Sequence, residues 1–197
     1  MRSRHEAAHH DGTAFPIAGL ILIASLIAGT PLSAQEDAAS QAFRHPRIYA
    51  DLLSPGTGLI YGAAHLRAGL ESPLAGRASW AVEGEYYYSA PGEDSFVQAD
   101  LLMLARFRPL DNPAKGGGWY VGAGTGLGWS SISSAATGTE SFAGIATAET
   151  GWSIRRLFAS PLYLEPFIRG YIVAPAASGN TAITAGTELG LRFGYTF

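Results

Sequence analysis

The stretch Leu189 to Phe197, LGLRFGYTF, alternates without a break. Leu189, Leu191, Phe193, Tyr195 and Phe197 form one set, and Gly190, Arg192, Gly194 and Thr196 form the other. A period of two sends successive side chains to opposite faces of a strand. Upstream, Glu188 falls in line with Arg192, so one face is apolar and aromatic while the other combines glycine with charge. That contrast constrains the surroundings of the strand more tightly than its conformation. It suits a wall with lipid outside and a packed polar interior.

The same alternation recurs upstream and predicts eight strands. They run Arg47 to Leu53, Gly58 to Leu70, Arg77 to Tyr88, Ser95 to Pro109, Gly118 to Ser131, Ser141 to Arg155, Leu162 to Val173 and Thr181 to Phe197. Turn-forming clusters separate them, among them Ser54 to Thr57 (SPGT), Ser89 to Asp94 (SAPGED) and Asp111 to Gly117 (DNPAKGG). An even count returns both ends to one side, as a closed barrel requires.

Two soluble folds share such a pattern. A lipocalin-like barrel and a β-sandwich both bury the apolar set and show the polar set to water. The make-up of the polar set separates these from a membrane barrel. Glu83, Glu85, Asp100, Arg106, Glu149, Glu165, Arg169, Glu188 and Arg192 are interspersed with glycine and tyrosine, whereas a water-facing sheet is normally rich in Lys, Thr, Asn and Gln. Aromatics also gather toward strand ends, at Trp80, Tyr86, Tyr88, Phe107, Trp119, Trp129, Trp152, Tyr195 and Phe197, as bilayer interfaces favour. The fold expected is therefore all-β, an eight-stranded antiparallel transmembrane β-barrel spanning residues 47–197.

The closing stretch resembles the last strand of bacterial outer-membrane β-barrels, and the repeated hairpins resemble the small OmpA/OmpX-like class. In that family a terminal aromatic, here Phe197 with Tyr195 and Phe193 in line, is read by the barrel-assembly machinery. The glycine often found five residues before the end is here Arg192. The resemblance implies an outer-membrane location, contact with outer-membrane lipids, the assembly machinery as a transient partner, and a monomer. Membrane-stabilising and adhesion-related proteins both occur in the class, so it does not fix a function.

The front of the chain fits export. Arg2 and Arg4 precede an apolar run from Ala14 to Gly29, and Thr30-Pro31 breaks it before Leu32-Ser33-Ala34. A basic start, an apolar middle and small residues at a cut site are the order of a secretory signal, expected over residues 1–34. The run is shorter than the roughly 20 residues of a spanning helix. Residues 35–46 follow as a short exposed lead. With no cysteine, thiolate chemistry and disulfides are excluded. Nucleic-acid binding is disfavoured by a formal charge of -3 and a single lysine, Lys115.

An eight-stranded ring is just wide enough for side chains to fill. Charges in such a filling need partners of opposite sign. The expectation is a salt-bridge core in which Arg67, Arg106, Arg169 and Arg192 face Glu83, Glu85, Asp100, Glu149, Glu165 and Glu188. The same residues could instead line a narrow pore for ions or small solutes. The run Gly122, Gly124, Gly126, Gly128 repeats every two residues along a strand, unlike a nucleotide loop, and fits close packing against bulky interior side chains.

A lipid-modifying enzyme is the third possibility. It would need a histidine near a serine and an orienting carboxylate. Past the signal the sequence has only His45 and His65, and the lipid A deacylase family carries a serine two positions after its histidine, where this chain has Arg67. No catalytic, metal or cofactor residue is assigned, and a non-enzymatic structural or surface-interaction role is the leading expectation.

Overall fold

The computed structural model describes residues 45–110, 117–134, 138–176 and 183–197. The expected export signal (1–34), most of the expected lead (35–46) and most of the turn at Asp111 to Gly117 lie outside them. Eight antiparallel strands form a closed barrel in chain order. They are β1 (Arg47–Asp51), β2 (Ala63–Ala75), β3 (Ala78–Ser89), β4 (Ser95–Phe107), β5 (Gly117–Ser133), β6 (Gly138–Arg155), β7 (Leu162–Pro175) and β8 (Thr184–Thr196). β1 closes the ring by pairing with β8 from Arg47↔Thr196 to Asp51↔Arg192.

The faces are inverted relative to a soluble barrel. Leu101, Met103 and Leu127 are 60%, 61% and 73% exposed, while Arg106, Arg108, Arg169, Arg192, Glu71, Glu83 and Glu165 are buried. Glycine makes this filling possible where large side chains need room: a Cβ on Gly190 would overlap the Phe167 ring. Gly124 and Gly126 of β5 lie similarly close to Leu104 and Leu102. These two leucines pack with Ala81 and Ile145 as a small apolar cluster inside the barrel.

Two stretches depart from the sequence expectation. The segment expected to turn at Ser54 to Thr57 and enter a strand at Gly58 is a helix, α1 (Leu53–Ile60). Pro55 falls in its first turn, where a missing N–H costs nothing. Asp51 fastens its start: Oδ1 accepts from the Leu53 N–H at 3.0 Å and Oδ2 from Ser54 Oγ at 2.9 Å. The alternation of Ile60 and Tyr61 that resembled a strand therefore belongs to the end of a helix. Conversely, β2 continues past Leu70 to Ala75, with a register shift between Pro73 and Ala75, and brings Glu71 into the interior.

Candidate functional site

Because strand parity fixes which side chains point inward, the interior can be built residue by residue. Three carboxylates organise its middle. Glu149 of β6 accepts from Arg106 Nε at 2.8 Å, Arg192 Nη2 at 2.7 Å and Arg169 Nη2 at 2.7 Å. Glu83 of β3 pairs with Arg169 at 2.5 Å and Arg192 at 3.1 Å and accepts from the Tyr49 hydroxyl at 3.1 Å. Glu71 pairs with Arg106 at 3.1 Å and Arg108 at 2.9 Å. Arg169 and Glu83 come from β7 and β3, four strands apart on a ring of eight, so this contact crosses the full lumen.

Toward the end where β1 begins and β8 finishes, Arg108 also reaches Glu165 at 2.9 Å, and Arg47 lies over the Tyr163 ring at 4.9 Å. Arg192 donates to the Tyr120 hydroxyl at 2.6 Å and sits 3.8 Å from the centre of the Phe167 ring. Toward the opposite end, Arg67 joins three strands by pairing with Asp51 at 3.2 Å, Glu85 at 2.8 Å and Glu188 at 2.7 Å. Charge-assisted, multiply bonded contacts of this kind are what let a buried guanidinium offset its lost hydration.

The structure thus brings Arg67, Arg106, Arg169 and Arg192 together with Glu83, Glu85, Glu149 and Glu188, and places Glu165 with Arg108. Asp100 stands apart: its Oδ2 accepts from Gln98 at 2.6 Å, and its Oδ1 is buried with no hydrogen-bond partner among the described residues. Its parity is inward, and it stands beside Glu85 in register, but it forms no ion pair with an arginine among the described residues. Sequence reasoning missed Arg47, Asp51, Glu71 and Arg108. The signal was present in the period of two, since Glu71 continues His65, Arg67 and Gly69, and Arg108 continues Arg106.

Above the arginine layer the lumen opens into a cavity of about 440 Å³, lined on its polar side by His65, Glu85, Asp100, Arg169 and Glu188 and on its apolar side by Leu102, Ile145 and Val173. His65 Nε2 lies 2.7 Å from Glu85 Oε1, and its Nδ1 lies 3.5 Å from Thr57 Oγ1. Hydroxyl, imidazole and carboxylate follow the order of a nucleophile relay, but the Thr57 hydroxyl donates its proton to the Ser54 carbonyl at 2.9 Å. The trio ties α1 to β2 and β3. No group of three potential metal ligands occurs among the described residues.

The N-terminal β-barrel domain of Pseudomonas aeruginosa OprF, a crystal structure, superposes with a TM-score of 0.48 at 14% identity, covering 77% of this chain and 98% of that one. No family model and no curated protein matches the sequence.

Outside the charged interior, Phe193, Tyr195 and Phe197 lie on the exposed face at the end where β1 begins and β8 finishes, with Tyr195 and Phe197 packed edge to face at 5.4 Å between ring centres. Trp119 and Trp152 pair across β5 and β6 at the same end. Near the opposite end Trp129 pairs with Phe142. Ten residues of β5 separate Trp119 from Trp129, about 34 Å at the usual strand rise. A tilt of about 40° reduces this to a height of about 26 Å, the thickness of an outer-membrane apolar band.

Proposed function

We propose that this protein is an exported outer-membrane β-barrel with a structural or surface-interaction role and a lumen that does not conduct. The observation that carries the reading is the inversion of faces: charge is buried inside the ring, and large apolar side chains form its exposed wall between two aromatic belts. In water such a wall is an aggregation hazard, whereas in a bilayer it is the solvated face. No helix among the described residues is long and apolar enough to cross a membrane; in this reading the strands of the closed ring do the crossing. Residues 1–34 direct export, and Phe193, Tyr195 and Phe197 are offered to the assembly machinery. The folded protein is a monomer surrounded by outer-membrane lipid.

The lumen-crossing contacts of Arg169 with Glu83, and of Arg108 with Glu165, support a plug in place of a pore. Fractionation of the expressing bacterium, followed by gels with and without boiling, tests the location. Enrichment in the outer membrane with a heat-dependent mobility shift is expected, and a soluble periplasmic protein without that shift would overturn the reading. In planar bilayers the folded protein is expected to give no steps; conductance abolished by changing Arg106 would establish a pore instead. Lipid turnover lost on His65→Ala would replace the non-enzymatic role with an enzymatic one.

A further inference from the structure

Among the described residues, the closed ring has a gap in its strand pairing toward one end. β1 has only five residues, so it pairs with β2 from Ala68 to Glu71 and with β8 from Arg192 to Thr196. Beyond Asp51, β2 from Ala63 to Arg67 and β8 from Thr184 to Leu191 have no strand between them among the described residues. α1 occupies the space, and it seats on β2: a Cβ on Gly58 would come within 2.8 Å of the Ala63 carbonyl and 2.9 Å of the His65 nitrogen. The β8 side is not sealed in the same way. Asp51 Oδ1 accepts from the Leu191 N–H at 3.0 Å, and the Leu52 N–H donates to the Leu191 carbonyl at 2.8 Å; these are the last such bonds along that edge among the described residues. Alternation then directs the N–H and C=O of Leu189 and Thr187 to the same side as those of Leu191, into the gap.

This gap is a slit of about 590 Å³. Its walls join two environments that a closed barrel keeps separate: Ile168 and Leu189 belong to the exposed apolar face, while Arg67, His65 and Glu188 belong to the interior. His65 and Glu188 line both the slit and the cavity above the arginine layer, so the two adjoin at these side chains. Counted over the slit and the adjoining cavity together, the groups that face them are unbalanced in charge. Four carboxylates, Asp51, Glu85, Asp100 and Glu188, face two guanidiniums, Arg67 and Arg169, and one imidazole, His65; Asp100 pairs with neither arginine. Free strand-edge amides and carbonyls at membrane depth also require a polar partner.

From these features we infer that the slit between α1 and β8 is a lateral binding site for a single-chain membrane amphiphile with an amine-bearing head. The chain lies along Ile168 and Leu189 in the bilayer, the linkage meets the free edge of β8, and the ammonium enters beside Glu188, on the side of the adjoining cavity that holds Asp100. The inference rests on the membrane-barrel reading, because the slit opens on the face assigned there to lipid.

The absence of cysteine makes the test direct, since one introduced cysteine labels one place. Thr187→Cys beside the slit and Leu101→Cys on the β4 wall, each carrying a fluorophore, are refolded in neutral maltoside micelles. They are then titrated with lysophosphatidylethanolamine or lysophosphatidylglycerol bearing a nitroxide on the acyl chain. At position 187 the ethanolamine probe is expected to quench saturably, at a concentration about tenfold below the glycerol probe, a difference of about 1.4 kcal/mol. At position 101 quenching is expected to follow only the probe's share of the micelle, without head-group preference. The tenfold preference at 187 is expected to vanish when Glu188→Gln is added. Position 187 behaving as 101 does, or favouring the glycerol head, would overturn the inference, as would cross-links between copies through position 187. A heat-dependent mobility shift, recorded on every sample, separates that result from failure of the barrel itself.

Discussion

Replacing Glu149 with glutamine changes one buried charge and little of its shape. In the native protein this carboxylate receives Arg106, Arg169 and Arg192 at 2.7–2.8 Å. Glu149→Gln leaves three guanidiniums to share Glu71, Glu83 and Glu188, all of which already have their own arginines. Removing one partner of a buried ion pair costs about 3–5 kcal/mol because the remaining charge stays desolvated. With a urea slope of about 2 kcal/mol per molar, the unfolding midpoint should fall by about 2 M. The assay is equilibrium unfolding of protein refolded into phosphocholine vesicles, followed by tryptophan fluorescence. Glu140→Gln, at the exposed end of β6, should stay within about 0.5 kcal/mol of the parent. Adding Arg106→Gln to Glu149→Gln should recover part of the loss, since the two residues share one network. A loss below about 1 kcal/mol for Glu149→Gln would show that water or rearrangement compensates the arginines, and would refute the dry, mutually neutralised core.

Three further outcomes can be measured. Gly190→Ala pushes a methyl group into the Phe167 ring and should cost about 1–3 kcal/mol; Phe167→Leu in the same chain should return part of it, which unfolding of the double variant would register. Leu101→Arg, on the outward face of β4, should destabilise the barrel by about 2–4 kcal/mol in vesicles, whereas a barrel in water would tolerate it within about 0.5 kcal/mol. Phe197→Ala should reduce the outer-membrane fraction and raise the unfolded periplasmic fraction, while the molecules that do fold keep their heat-dependent mobility.

The strands were legible because each repeats a period of two over many residues, long enough to average out an irregular position. β4 and β8 show it most clearly. The alternation also separated inward from outward residues once the polar face was read as arginine and glutamate among glycines. Two local features were not legible. Ser54-Pro55-Gly56 has the composition of a turn, and only the position of Asp51, bonded at once to Leu53, Ser54, Leu191 and Arg67, makes it the start of a helix. Glu71 was hidden by the nearby Pro73, which suggests the end of a strand but here sits at a register irregularity within one. Asp100 shows the limit of parity: alternation gives the side of the wall, but not which of two adjacent inward carboxylates, Glu85 or Asp100, takes the arginine.

The five-residue β1 also has a consequence for the order in which the molecule forms. The seam it makes with β8 joins residues 47–51 to residues 192–196, almost the two extremes of the barrel. Bringing such distant segments together costs about 4 kcal/mol of chain entropy before any hydrogen bond repays it. Until that happens, Arg192 of β8 and Glu83 of β3 stand five strands apart, so an unclosed sheet would hold these charges of its future interior unpaired with each other. Zipping the seam and neutralising the core are therefore a single event, late in assembly, and a short seam makes the same joint the first to part when the barrel comes undone.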